Sequence, residues 1–225
     1  MKRAVILLSG GIDSATCLAH AKAAGFELYA LSVAYGQRHA VELDCARQLA
    51  SQFGAQDHRE AQIDLRLFGG SALTADQPVP KDGPTAEIPN TYVPARNTIF
   101  LSLALAYAEV VGAWTIYAGM NAVDYSGYPD CRPEYVAAYQ AMANLATKAA
   151  VSGEARLTIA TPLMHLTKRQ IIELGESLDV DFALTTSCYD PAPGGAPCRA
   201  CDACRLRRDA FAEMGRRDPR ELAFS

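Results

Sequence analysis

The feature that most constrains this chain is a join. Five apolar residues, Ala4 to Leu8, run directly into Ser9-Gly10-Gly11-Ile12-Asp13-Ser14, and helical spacing follows from Asp13 to Ala24. A short apolar run closed by Gly-Gly reads as a buried strand ending in a turn. Two glycines let the backbone bend sharply and let a ligand approach with no Cβ in the way. The N–H groups that open the helix have no intrahelical partners, and the dipole lies behind them, so the join is an anion site. Ser9 and Ser14 add hydroxyl donors, and Asp13 can cap the helix or hold a magnesium ion. The string contains neither Gly-Lys-Ser/Thr nor Gly-x-Gly-x-x-Gly, which sets it apart from the Walker loop and the dinucleotide fingerprint.

The same alternation continues along the chain. Strands are expected at Glu27–Ala34, His58–Ile63, Trp114–Ala118 and Leu157–Ala160. Helices are expected at Arg38–Phe53, Asn97–Gly112, Glu134–Val151 and Lys168–Leu178. Phe68 to Pro94 is interrupted by glycines and prolines and reads as a long lid or binding loop, and Gly119 to Pro133 as a second loop. Five apolar strands alternating with helices predict an α/β fold, a Rossmann-like, doubly wound, parallel five-stranded sheet with ligands at one edge. Residues 1–185 would form this nucleotide-binding domain and residues 186–225 a cysteine-rich tail packed on it.

Of the 225 residues 50% are hydrophobic, enough to bury a core without disulfide staples. The net charge of −4 argues against binding nucleic acid through bulk charge. Ile99 to Ala108 is too short to span a bilayer, and Ala4 to Leu8 too short for the apolar core of a signal peptide. A cytoplasmic protein is expected.

Of seven cysteines, four crowd together as Cys188-x9-Cys198-x2-Cys201-x2-Cys204. Clustered thiols in a reducing compartment point to metal rather than disulfides. Four thiolates close a tetrahedral zinc site of the structural type. Cys-x2-Cys-x2-Cys also serves iron–sulfur clusters, which leaves that reading open.

The Ser9–Ser14 string resembles the mark S-G-G-x-D-S of the PP-loop ATP pyrophosphatase superfamily. Further segments resemble one of its families, the 7-cyano-7-deazaguanine synthases of the queuosine pathway. These are Tyr35-Gly36-Gln37-Arg38-His39, Val93 to Thr98, Asn121 to Pro133, Thr161-Pro162-Leu163 with Leu166-Thr167-Lys168, and the cysteine cluster ending in Leu206-Arg207. The resemblance implies an adenine nucleotide alpha hydrolase-like fold. It also implies an ATP-dependent ligase that turns 7-carboxy-7-deazaguanine and ammonia into the nitrile through adenylated intermediates and an amide. Magnesium would accompany ATP, one structural zinc would sit on the four cysteines, and the protein would be a homodimer. No contact with nucleic acid or membrane is implied.

By the same resemblance ATP would be held by Leu8, Ser9, Gly10, Gly11, Ile12, Asp13, Ser14, Ala15, Thr16, Cys17 and Leu18. Lys168 and Arg207 would neutralise phosphate charge. Tyr125 and Tyr128 can stack on a bicyclic base, Asp124 or Asp130 can accept its N–H donors, and Arg96 and Asn97 can meet the substrate carboxylate or open the following helix. Two departures from the family pattern stand out. Arg199 follows Cys198 where the family has glycine, and Asp209-Ala210 stands where a glycine is usual. Two rival readings remain: a tRNA thiolase, which needs a reactive cysteine near the loop, and a nucleotide sensor without catalysis.

Overall fold

The computed structural model describes residues 2–36, 41–75, 78–81, 88–123 and 128–224. Its centre is a five-stranded sheet of β1 (Lys2–Leu7), β2 (Phe26–Ala34), β3 (Asp57–Gln62), β4 (Thr115–Tyr117) and β5 (Thr158–Ala160). The order is β3-β2-β1-β4-β5 and every pairing is parallel. The chain winds outward from β1 to β2 and β3, then returns to the other side of β1 for β4 and β5. Between β1 and β4 the winding reverses, and there the strand ends open a crevice.

Both faces are covered, which explains the unbroken apolar run of β1. Ala4, Ile6 and Leu8 face a core shared with α1 (Ile12–Ala23), α2 (Val41–Gln52) and α6 (Lys168–Ser177). Val5 faces the opposite core, shared with α3 (Arg96–Val111) and α4 (Pro133–Ala146). Two-sided burial of this kind removes the polar alternation of a half-exposed strand. β3 lies at an edge, where Arg59 and Glu60 are exposed charges that discourage further strand pairing.

The helix expected over Glu134–Val151 is broken in two. α4 ends at Ala146, Thr147 is extended at φ −101° and ψ 143°, and α5 (Lys148–Val151) starts afresh. The Thr147 hydroxyl donates to the Ala143 carbonyl, and the Glu109 carboxylate accepts the Lys148 N–H, so the break is satisfied from both sides. The start expected for α2 at Arg38 lies outside the described residues. Among the described residues, Phe68 to Pro94 holds no strand or α-helix, as its glycines and prolines predict. No helix among the described residues is long and apolar enough to cross a membrane.

The tail shares the core. In α7 (Asp202–Glu213), Ala210 and Phe211 are buried in the cluster that contains α1 and α6, and Phe211 meets Phe182 edge to face with ring centroids 6.1 Å apart. Ala210 helps to fill this interface. Gly175 on α6 makes the close approach to α1 possible. A Cβ there would lie 2.5 Å from the Phe182 ring and 2.8 Å from the Thr16 hydroxyl. Helix propensity favours alanine over glycine by at most about 1 kcal/mol, whereas overpacking a filled core costs about 1–3 kcal/mol. Gly175→Ala should therefore lower unfolding stability by about 1–2 kcal/mol in urea titrations; a stabilised variant would show that the α1–α6 contact can give way.

Candidate active site

The Ser9–Ser14 loop leaves β1 and enters α1 at the crevice. Gly11 is the N-cap of α1 and offers no side-chain acceptor to its first N–H groups. Gly10 has φ +81°, and a Cβ on it would collide with the Glu42 carbonyl of α2. The loop is braced by hydroxyls: the Ser9 N–H donates to Ser14 Oγ at 3.1 Å, and Ser14 Oγ donates to the Gly11 carbonyl at 3.1 Å. Of the segment Leu8–Leu18, Leu8, Ser9, Gly11, Ile12, Asp13 and Ser14 line the crevice. Ala15, Thr16, Cys17 and Leu18 are buried in the body of α1, behind the loop.

Lys168 opens α6 behind a Thr167 N-cap and a capping box with Gln170. A lysine at the positive end of a helix dipole is unfavourable by itself. Its Nζ instead donates to both carboxylate oxygens of Asp13, at 2.7 and 2.9 Å, and Lys168 is only 6% exposed. The pair joins the first turns of α1 and α6 at the wall of the crevice. Asn121, just beyond β4, holds the approach to α6 in place, its amide donating to the Leu163 and Leu166 carbonyls. Two of the sequence segments singled out above thus meet directly.

Arg207 also lines the crevice, but its five N–H groups are engaged within the protein. It pairs bidentately with Asp218 at 2.8 and 2.9 Å, and donates to the Phe182 carbonyl and to the hydroxyl and carbonyl of Thr185. Arg207 is therefore no surface arginine, being 3% exposed, and its donors are met from within the protein. Its geometry is that of a tie holding 182–187, whose Thr186 N–H donates to the Gly10 carbonyl at 2.9 Å. Thr186 and Ser187 line the crevice as a result.

The far end of the crevice is aromatic. Tyr35, Phe100, Tyr128 and Tyr189 line it with Arg96, Asn97, Glu42 and Cys131. The Arg96 guanidinium lies 5.9 Å from the Tyr35 ring centroid and 6.0 Å from that of Phe100. Asp130 is used differently from the expectation that it reads a base. The N-cap of α3 is Ala95, which has no capping side chain, and the Asp130 carboxylate accepts the Asn97 N–H at 3.0 Å in its stead. The Asn97 amide returns a bond to the Asp130 carbonyl at 3.2 Å. Asp124 and Tyr125 lie outside the described residues.

Sequence reasoning missed Glu42, because an acid in the first turn of a helix ordinarily answers the dipole. Burial pushes the Glu42 carboxyl up to about 7, against the opposing pull of Arg96. Burial likewise raises the Cys131 thiol to about 12 with help from Asp130, and raises Cys17, so neither presents a thiolate at neutral pH.

The four cysteines converge as their spacing suggested, with sulfurs within 4.8 Å of one another. Tetrahedral zinc–thiolate bonds of about 2.3 Å place sulfurs about 3.8 Å apart, close to this arrangement. Backbone N–H groups already point at the sulfurs: Cys198 N–H donates to Cys188 Sγ at 3.2 Å and Cys201 N–H to Cys198 Sγ at 3.3 Å. Donors of this kind favour thiolates over thiols, so the set fits a metal ion. Arg199 adopts φ +61°, the left-handed conformation a glycine would take. The turn between Cys198 and Cys201 therefore survives the substitution, at a backbone cost of about 1–2 kcal/mol. The cluster packs on Val33, Tyr35, Leu73 and Val93, which binds the tail to β2 and the long loop.

The raised carboxyl of Glu42 makes a stability prediction. With a folded pKa above the unfolded one, folding takes up a proton between the ordinary glutamate value and about 7. Stability then falls as pH rises through that window, and the full cost stands above it. Glu42→Gln should be more stable than the parent protein by about 1–3 kcal/mol near pH 8, with the gap closing towards about pH 4. Denaturant titrations that show no gain near pH 8 would contradict the assignment.

Comparison with known proteins accords with this geometry. A family model described as queuosine biosynthesis protein QueC matches residues 3–215. A 7-cyano-7-deazaguanine synthase from Geobacter metallireducens is 61% identical over 218 residues, 97% of this chain and 92% of that protein. A protein of the same name from Paramagnetospirillum magneticum is 62% identical over 227 residues, 99% of this chain and 100% of its own. Among solved structures, an NMN synthetase from Francisella tularensis superposes with a TM-score of 0.52 at 21% identity, over 99% of this chain and 83% of its own, a likeness of fold. With a family model spanning nearly its whole length and full-length relatives at about 60% identity, this chain belongs to the QueC family of queuosine biosynthesis proteins.

Proposed function

We propose that the chain is an ATP-dependent 7-cyano-7-deazaguanine synthase. It joins 7-carboxy-7-deazaguanine and ammonia to give the nitrile. The observation that carries the reading is the single crevice with an uncapped helix start and the Lys168–Asp13 pair at one end, and an aromatic end holding Arg96 at the other.

The chemistry needs such an arrangement. A carboxylate is a poor electrophile because its oxygen does not leave. Attack of that oxygen on the α-phosphate of ATP expels pyrophosphate and gives a mixed anhydride. Ammonia then adds to the carbonyl carbon, AMP departs, and an amide remains. The amide oxygen repeats the attack on a second ATP, and loss of AMP together with a proton leaves the nitrile. The N–H groups of the loop and the Lys168 ammonium supply preorganised positive charge where phosphate charge develops. Arg207 acts by positioning Thr186 and Ser187 over the loop, since its own donors are engaged.

Asp13 is the carboxylate best sited to share the magnesium that accompanies ATP. Zinc is the ion best suited to four thiolates, and with no open position its part is to lock 188–204 under the crevice. The nitrogen donor is taken as free ammonia, the location as the cytoplasm and the assembly as a homodimer without contact to nucleic acid. The thiolase reading is disfavoured by the raised thiols of Cys131 and Cys17, which lack the thiolate that sulfur transfer needs.

Mass spectrometry of protein incubated with 7-carboxy-7-deazaguanine, ammonium, magnesium and ATP tests the function. Nitrile should appear, and AMP should form only when the deazaguanine is present; absence of both products in a folded, ATP-binding sample would refute it. Lys168→Ala should lower turnover by about 100- to 1,000-fold, the range for loss of one charge-stabilising donor, while leaving metal content and fold unchanged. Turnover near that of the parent protein would remove Lys168 from the mechanism.

A further inference from the structure

Glu42 and Asp13 are the carboxylates that line the crevice among the described residues. Asp13 is engaged by Lys168, and Asp130, the other acid suggested for reading the base, caps α3. Glu42 sits at the start of α2, where Gly10 packs directly against its backbone, and it lines the crevice within the electrostatic reach of Arg96. Among the described residues, its carboxylate meets the electrostatic pull of Arg96 but no hydrogen-bond donor. A carboxylate left in such surroundings is costly unless it meets paired donors.

The possible ligands differ in what they offer. The guanine-type edge carries two adjacent donors, the ring N1–H and the 2-amino N–H, which match the two oxygens of one carboxylate. The adenine edge alternates a donor with an acceptor and does not match. We propose that Glu42 is a specificity residue that accepts both N–H donors of the deazaguanine edge, a role that rests on the function proposed above. Tyr35 and Phe100, with Arg96 against both rings, form the wall beside it. The carboxylate at C7 would then point away from Glu42, towards the phosphate end of the crevice.

The test compares the parent protein with Glu42→Gln and Glu42→Ala, using 7-carboxy-7-deazaguanine and its analogue lacking the 2-amino group. Direct binding of both compounds is measured by equilibrium dialysis, and KM for substrate and for ATP by product formation. The parent protein should prefer the natural substrate to the analogue by at least about tenfold, because the analogue leaves a buried acceptor unpaired. Glu42→Gln should lower kcat/KM for the natural substrate by about 10- to 100-fold, mainly through KM, and bring the preference close to one. KM for ATP should stay within about twofold. Unchanged preference in Glu42→Gln overturns the inference, as does a rise in KM for ATP, which would assign Glu42 to the ribose hydroxyls instead. Dialysis needs no turnover, so a parent protein that binds the deazaguanine with the expected preference but makes no nitrile supports Glu42 while refuting the reaction.

Discussion

Everything at the crevice depends on a helix start that the protein leaves uncapped. Gly11 stands at the N-cap of α1 with no side chain to accept the first N–H groups, and Gly10 turns the chain so tightly that α2 closes against it. Leaving such donors unmet costs stability in an ordinary helix. Here their direction is set by β1, which lies at the centre of the sheet and is paired on both sides. Around this start the rest of the fold is arranged. Gly119 lets the end of β4 come close to Asp13, α6 brings Lys168 to the same carboxylate, and Arg207 holds 182–187 across the loop.

The tail packs against this arrangement and lends Tyr189 and Arg207 to the crevice wall. Cys188, Cys201 and Cys204 are buried against β2 and the long loop, while Tyr189 reaches the crevice from the residue next to the first cysteine. A metal ion on the four thiolates would fix the backbone on both sides of Tyr189. The buried Arg207–Asp218 pair fixes the other end of the same segment. Buried ion pairs contribute little net stability but define geometry well when every donor is met, as it is here.

How much of this was legible in the sequence follows from the range of each interaction. The central strand was legible because burial on both faces writes a continuous apolar run, Ala4 to Leu8, whereas the edge strand β3 is polar and carries no such run. The phosphate loop was legible because its logic is local: two glycines, two serines and a helix start. The residue types at Lys168 and Asp13 could be singled out, but their pairing spans 155 positions and depends on the strand order. Arg207 and Asp130 are internal ties, the first to Asp218, Thr185 and Phe182 and the second to the Asn97 N–H, partners that no local pattern in the sequence marks. The break at Thr147 depended on Glu109 from another helix, and Glu42 was hidden by the ordinary preference for acids in a first helical turn.

The central claim is that one site activates two oxygens of the same carbon in succession, each by transfer to AMP. The most direct measurement starts from 7-carboxy-7-deazaguanine labelled with oxygen-18 at both carboxylate oxygens and follows the label by mass spectrometry. The account predicts two AMP molecules per nitrile, each carrying one labelled oxygen, with unlabelled pyrophosphate. Label in inorganic phosphate, with ADP as the nucleotide product, or one labelled AMP with the second oxygen released to water, would contradict it.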